Sequence, residues 1–449
     1  MTARPRRIVV VSWHFPPSSE VAGKVVWRLA RRLATAGADV RVLVPPTAEF
    51  PSRDERYARD VPRGLRRVEV AAWPNWYAAL LRARNRLRSL RSGRETAAPR
   101  ATATAVPTGG TTPVAPSGIV RFLIALSRLP DEAGRWIVPA AAALRRTLRD
   151  EPADLVITVA PVFSAHLVAL RAGLPTATTK WFAWSHDPMV GNPFISASSG
   201  AWSRRIERWD AAVAHRATRM LVTTDALRED LQRRYPDIAA PALLPCGYEP
   251  DEIPSLAPPP AGGPLVLAHV GTLYGHRSPL PILEAVARLR ASGRLREEAL
   301  RLRFVGSQAN QAEESLAHAI ARLGLESMVS HSPAVPQADA LKVIAESSAG
   351  LLLAERQPLQ IPAKTFEYIG QGRAIFALTD GATASLVREA GIGIATDRAG
   401  LEQALLDFVA AWERDGLATY REGLEAARHR YAAAALADGV LALITEEPH

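Results

Sequence analysis

A chain of 449 residues, 48% hydrophobic and 22% charged, holds enough apolar material for two or three large cores and too much to be disordered. Its formal charge of +10 points to anionic partners, and its single cysteine, Cys246, excludes an intrachain disulfide or a cysteine-built zinc site. The ten histidines show no ligand-spaced pair, no run is long and apolar enough to cross a bilayer, and no zinc-finger motif or basic–aromatic interleaving points to nucleic acid, which predicts a cytoplasmic protein without a metal site, with phosphorylated small molecules and anionic lipid as candidate partners.

Arg7–Ser12 (RIVVVS) is a β-branched apolar run of the kind that forms a buried parallel strand. A loop, 14–24, leads to helical periodicity over Val25–Ala34, a stop at Gly37 and a second strand, Val40–Val44, which together make a βαβ unit. Gly23 is the one glycine of that loop, so the loop is no GxGxxG fingerprint, but a glycine lets backbone amides approach a phosphate closely. Beside it stands Lys24, one of four lysines in a chain whose default cation is arginine; a compact ammonium kept against that bias suggests a phosphate contact, and a turn before a helix is the plain alternative.

Order declines from Pro45 to Ser117. Trp73–Arg94 mixes aromatics and leucines with six arginines, the composition either of a solvated surface helix or of one lying on an anionic membrane. Thr96–Ser117 is low-complexity Thr/Ala/Pro/Gly, expected to be a flexible loop, and Gly118–Leu129 returns as an amphipathic helix. Strands are expected at Asp154–Ala160 and Lys180–Trp184 with a helix, Ser164–Ala172, between them. The second strand runs into Ser185-His186-Asp187-Pro188, a polar pair where strand ends carry chemistry, with a structural histidine as the alternative. A helix over Ala201–Ala217, a strand at Arg219–Thr223 and a helix capped by Asp225 follow, before the proline-rich run Glu249–Gly263.

The second half restarts the pattern. Strands are expected at Leu265–Val270, Leu302–Val305, Met328–His331, Ala349–Leu353 and Ala374–Leu378, and helices at Leu280–Leu289, Gln311–Leu323 and Ala338–Glu346. Leu401–Leu443 reads as alanine-rich helix throughout. Between the last two strands, a loop closed by Pro362 opens a helix carrying Lys364 and Glu367 on its first turn, a cation and a carboxylate placed to meet a phosphate and a sugar hydroxyl, or else a solvated helix face. The expected fold is α/β, two Rossmann-like doubly wound domains facing a cleft: an N-terminal domain over 1–250 with an excursion at about 74–128, a hinge at 251–263, a C-terminal domain over 264–425, and a last helix at 426–449 packing back on the N-terminal domain.

The succession FPPSSEVAG, SHDP, LPCGYEPD, HVGTLYGHRSP, FVGS and IPAKTFEYIGQGRAI resembles the retaining glycosyltransferases of family 4, which share the GT-B fold. The resemblance runs from about Arg7 to about Gly393 and implies transfer of a sugar from a nucleotide-sugar donor to a glycan, lipid-linked or small-molecule acceptor, without cofactor or required metal, in surface polysaccharide or glycolipid synthesis. It implies that Glu367 holds the donor ribose, that Arg277 and Lys364 neutralise the diphosphate, that Gly271 and Gly23 offer backbone amides, and that His186 lies beside the transferred sugar. Three positions depart from the family pattern: Leu359 stands where many members have a second glutamate, Thr272 where many have arginine, and Cys246 where asparagine is frequent. A nucleotide-sugar epimerase on the same fold and a non-catalytic nucleotide-sugar-binding scaffold are the alternatives, the first calling for a carboxylate set that the sequence does not display.

Overall fold

The computed structural model describes residues 4–50, 52–54, 61–74, 130–192, 200–253, 262–274, 277–308 and 314–445. The arginine-rich, low-complexity and amphipathic segments expected between 75 and 129, most of the proline-rich run, and the start of the helix expected at Gln311 lie outside the described residues. The chain forms two compact units, Met1–Ser185 with Met189–Met220 and His186–Pro188 with Leu221–His449.

Strands β1 (Arg7–Val11), β2 (Asp39–Val44), β3 (Leu65–Glu69), β4 (Leu155–Ala160), β5 (Lys180–Ser185), β6 (Arg219–Val222) and β7 (Ala242–Leu243) form a sheet of order β3-β2-β1-β4-β5-β6-β7. Helices α1 (Val21–Thr35), α2 (Ile137–Asp150), α3 (Ser164–Ala172) and α4 (Gly200–Arg216) belong to the first unit, and α5 (Asp225–Arg234) opens the long part of the second. The strand order reverses at β1, which pairs in parallel with both β2 and β4. Ligands of open α/β sheets bind outside the carboxyl ends of strands at such a reversal. Helix α1 buries Val25, Val26, Leu29, Ala30 and Leu33, its apolar stripe, and begins four residues before its periodicity suggests.

Strands β8 (Leu265–Val270), β9 (Leu300–Val305), β10 (Val329–Ser332), β11 (Ala349–Ala354), β12 (Ala374–Thr379) and β13 (Gly393–Thr396) form the second sheet, of order β10-β9-β8-β11-β12-β13. Its reversal falls at β8, paired in parallel with β9 and β11. Around it run α6 (Leu280–Ala291), α7 (Leu316–Arg322), α8 (Gln337–Ala345), α9 (Lys364–Gly370), α10 (Gly381–Glu389), α11 (Leu401–Asp415), α12 (Arg421–Arg430) and α13 (Ala433–Thr445). No helix among the described residues is long and apolar enough to cross a membrane.

Several local expectations change. β3 lies within the stretch expected to lose order; its Arg67 side chain donates to the carbonyls of Pro16 and Pro45, tying the loops after β1 and β2 together. The cap of α5 is Thr224, whose Oγ1 accepts from Leu227 N at 3.0 Å, while Asp225 sits in the first turn and pairs with Arg228. The continuous helix expected over 401–443 breaks twice. Gly416, at φ +63°, ends α11 in the left-handed conformation that glycine adopts freely, and Tyr431 ends α12, where its carbonyl accepts from Tyr248 N.

Candidate donor site and its neighbours

The loop after β8 and the first turn of the helix that follows β11 carry five of the expected residues, Gly271, Thr272, Arg277, Lys364 and Glu367. After β8, Gly271 donates its N–H to Val305 O and Leu273 donates to Ser307 O, so the backbone pairing of β8 and β9 continues past the strand ends. Gly306 makes this possible: at φ +152°, a Cβ there would stand 2.0 Å from Gly271 O. Thr272 Oγ1 lies 3.4 Å from Ser307 Oγ on the exposed side of the loop. Arg277 stacks its guanidinium over the Tyr274 ring at 4.8 Å.

After β11, the loop to α9 is held down from several sides. Thr224 Oγ1 donates to Leu359 O at 2.7 Å, Ala382 N to Pro358 O, and Thr383 Oγ1 to Gln360 O. The main-chain oxygen of Leu359 is therefore engaged, and its side chain offers no polar atom where the family pattern has a carboxylate. Helix α9 is anchored by Tyr368, whose buried hydroxyl lies within hydrogen-bond reach of Ala268 O and Leu351 O. Its ring covers Gly350, where a Cβ would meet it at 2.5 Å.

This anchoring fixes the first turn of α9. Lys364 Nζ donates to Glu367 Oε2 at 2.5 Å, and Gln337 Nε2, from the start of α8, donates to Glu367 Oε1 at 2.9 Å. Glu367 is buried, so the pair is no solvated helix face. A Cβ placed on Gly271 would stand 4.0 Å from Lys364 Cε and 3.9 Å from His269 Nε2. Gly271, Lys364 and Glu367 are thus brought together, and a glycine leaves the space beside the ammonium open.

His269 was not foreseen. It lies on β8, buried, with Nδ1 donating to Leu351 O at 3.2 Å; Nε2 has no hydrogen-bond partner among the described residues. Burial lowers its pKa to about 4, with the Arg277 and Lys364 charges acting in the same direction. It is neutral at pH 7, and with the proton on Nδ1 its Nε2 is an acceptor. A histidine inside the otherwise apolar run LVLAHV is the one sequence signal that points to it. Gln337 gives no such signal, since only the fold brings it to Glu367.

His186 and Asp187 fall in the second unit. Thr223 Oγ1 donates to His186 O at 2.9 Å, and burial lowers the imidazole pKa to about 3. Burial pushes the Asp187 carboxyl up to about 6, with the Arg277 charge pulling it back. Asp187 therefore lies within electrostatic reach of Arg277. Gly23 and Lys24 lie in the first unit. They occupy the first turn of α1 and not the preceding loop: Gly23 N donates to Glu20 O, and a Cβ on Gly23 would press on Phe15 N at 3.2 Å. Gly23 thereby allows the helix to approach the loop after β1.

The arrangement can neutralise an anion with Arg277 and Lys364 and offer a carboxylate to hydroxyl groups within one loop pair. The two parallel-sheet units define the GT-B architecture. Solved structures similar to the chain include sucrose-phosphate synthase from Thermosynechococcus elongatus (15% identity, 98% of each chain covered, TM-score 0.65) and Anabaena HepE in complex with UDP-glucose (15% identity, 98% of this chain and 99% of that one, TM-score 0.60). WaaG, a glycosyltransferase involved in lipopolysaccharide biosynthesis, is similar too, with 16% identity over 98% of this chain and 100% of that one and a TM-score of 0.58. Residues 102–252 match the model of Glycosyltransferase Family 4. A comparison with curated protein sequences found no match.

Proposed function

We propose that the chain is a retaining glycosyltransferase that moves a hexosyl group from a nucleotide-sugar to a glycan, lipid-linked or small-molecule acceptor in surface polysaccharide or glycolipid synthesis. The observation that carries this reading is the Lys364–Glu367 pair set against Gly271, at the reversal of the second sheet. In this reading Glu367 binds the donor ribose, Lys364, Arg277 and the Gly271–Thr272 backbone bind the diphosphate, and His186 faces the transferred sugar. As the glycosidic bond stretches, the leaving diphosphate gains charge, so fixed cations stabilise the transition state more than the ground state. Two side-chain cations supply this charge, which supports catalysis without a metal. The similarity to a protein solved with UDP-glucose supports a uridine nucleotide. Gly23 and Lys24 belong to this proposal as further donor-binding residues. A cytoplasmic location, with the arginine-rich segment near residues 74–94 resting on an anionic membrane, completes the proposal.

The test is a thermal-shift panel of UDP, GDP and dTDP, each with and without EDTA. A ligand at 100 times its dissociation constant adds about 2.7 kcal/mol of stability. One nucleotide should raise the Tm by several degrees in EDTA, and no shift with any would refute the donor site. With the matching donor, release of nucleotide and a product of unchanged anomeric configuration separate transfer from epimerisation, which keeps the nucleotide attached. Nucleotide binding with neither outcome on any donor would favour the scaffold reading.

A further inference from the structure

The first unit has its own pocket, of about 420 Å³, at the carboxyl ends of β1 and β2. One wall is Trp13, packed edge-on to Trp136 with ring centroids 5.7 Å apart; beside it His14 and Phe50 lie with rings 6.2 Å apart. The polar groups on the remaining walls are dominated by Glu20, Glu49 and Glu132, with Arg135 the one cationic side chain among them. Arg135 is already engaged: its guanidinium lies 3.7 Å from Glu49 and donates to the carbonyl of Trp73. Burial lowers the His14 pKa, so its imidazole adds no positive charge at neutral pH. Its Nδ1 rests 3.3 Å from the buried Ser18 Oγ, and its Nε2 faces Glu132 Oε1 at 3.9 Å.

These walls are preorganised. Ser19 N donates to Ser52 O and Asp54 N to Pro17 O, which ties the loop after β1 to the one after β2, and Arg67 clamps both. A hollow of this size, edged by an indole, an imidazole and several carboxylates, has the make-up of a site for a polyhydroxylated ring, whose C–H face suits aromatic carbon and whose hydroxyls donate to carboxylates. Its local charge decides which rings. Three carboxylates against one already paired guanidinium repel phosphate and carboxylate groups, in a protein whose overall charge of +10 attracts them.

We propose that this pocket binds a neutral or amine-bearing sugar ring and rejects phosphorylated and uronic ones. Resting on the transferase reading, the ring is the end of the acceptor, and any phosphate the acceptor carries stays outside the pocket. An ammonium on the ring gains most, because Glu20 and Glu132 are not matched by a cation in the pocket.

The experiment uses the full chain without nucleotide, so its outcome is independent of the donor site. Methyl glucoside, glucosamine, glucose 6-phosphate and glucuronic acid are compared by ligand-observed saturation-transfer NMR, with dissociation constants from titration. Glucosamine and methyl glucoside should bind at least ten times more tightly than the two anionic sugars. Glu132→Gln should cut the advantage of glucosamine over methyl glucoside about fivefold, weakening glucosamine far more than methyl glucoside, because the amide oxygen still accepts from hydroxyls but carries no charge. Glu132 is exposed enough for the variant to fold, and its Tm verifies this. Trp13→Leu should weaken both. Equal or tighter binding of the anionic sugars, binding unaffected by either substitution, or no binding by any of the four overturns the proposal. Loss of nucleotide binding with this selectivity intact would overturn the donor site alone.

Discussion

Lys364 Nζ lies 2.5 Å from Glu367 Oε2, and Gln337 holds the other carboxylate oxygen at 2.9 Å. Without a ligand, the carboxylate proposed to receive the ribose hydroxyls is therefore occupied on both sides. Each oxygen of an ionised carboxylate accepts up to two hydrogen bonds, so a ribose can add to these donors or displace the ammonium, which then turns toward a diphosphate beside Gly271. Glu367 and Lys364 should affect different parts of the ligand. Glu367→Ala is expected to weaken uridine and UDP alike by at least tenfold. Lys364→Met is expected to leave uridine within about threefold of wild type and weaken UDP by at least tenfold. Isothermal titration of both ligands checks this, and a uniform loss in the two variants would mean that the pair acts as a structural unit.

Acid should act on His269 with a definite sign. The folded-state pKa is lowered to about 4 from an ordinary 6.5, so the unfolded chain takes up the proton more readily. The stability from keeping this histidine neutral is complete above pH 6.5 and is lost progressively as the pH falls toward 4. Over the 1.5 units from pH 6.5 to 5, the loss is about 2 kcal/mol. Asp131 and Asp187, both raised to about 6 by burial, act oppositely: their contribution to stability grows as the pH falls from 6 toward 3.8. The wild-type profile is thus a partial cancellation. His186, lowered to about 3, and His14 act in the same direction as His269. His269→Asn therefore removes only its own share, and its unfolding free energy should fall by about 2 kcal/mol less than that of wild type between pH 6.5 and 5, measured by urea unfolding at both values.

Gly350 lies on β11 where the Tyr368 ring leaves no room for a methyl group, at 2.5 Å. The ring cannot move away without breaking its hydrogen bonds to the carbonyls of Ala268 and Leu351. Gly350→Ala should therefore cost about 1–3 kcal/mol, the usual range for overpacking. Because α9 rides on this contact, UDP affinity should fall as well. In the double variant Gly350→Ala/Tyr368→Leu the losses should be less than additive, since the clash is removed with the ring. A thermal-unfolding cycle over the four proteins reads the coupling directly.

Much of this was legible from period and punctuation. Apolar β-branched runs place β1, β4, β8 and β12 to within a residue or two, because a parallel strand buried on both faces has little alternative. Lys364 and Glu367 were legible because their spacing puts both on one helical turn. What the sequence could not show depends on contacts between distant segments. Gln337 meets Glu367 across 30 residues. Thr224 displaces Asp225 as the helix cap while also reaching Leu359, 135 residues away. The placement of Gly23 was misjudged because α1 begins at Val21, before its apolar stripe starts. The pocket at Trp13 and Glu132 was invisible for the same reason, since its walls come from three separate segments.

Thr272 and Arg277 share one loop, and only one of them is a cation. Thr272 is exposed with its hydroxyl 3.4 Å from Ser307, so a longer side chain there meets solvent and not the core. Arg277 is constrained by its stacking on Tyr274 and its proximity to Asp187. A lysine lacks both the planar fork and the stacking face, so Arg277→Lys should lose most of what Arg277→Met loses, about tenfold or more in UDP affinity, with uridine little changed. Thr272→Arg restores the residue many family members carry and places a second guanidinium on the same loop. It should tighten UDP several-fold in wild type and recover part of the loss in Arg277→Met. This is measured by titration at 50 and 300 mM salt, where the gain should shrink as screening increases. If Thr272→Arg leaves UDP affinity unchanged at both salts, the loop does not face the diphosphate and the placement of Arg277 in the donor site fails with it.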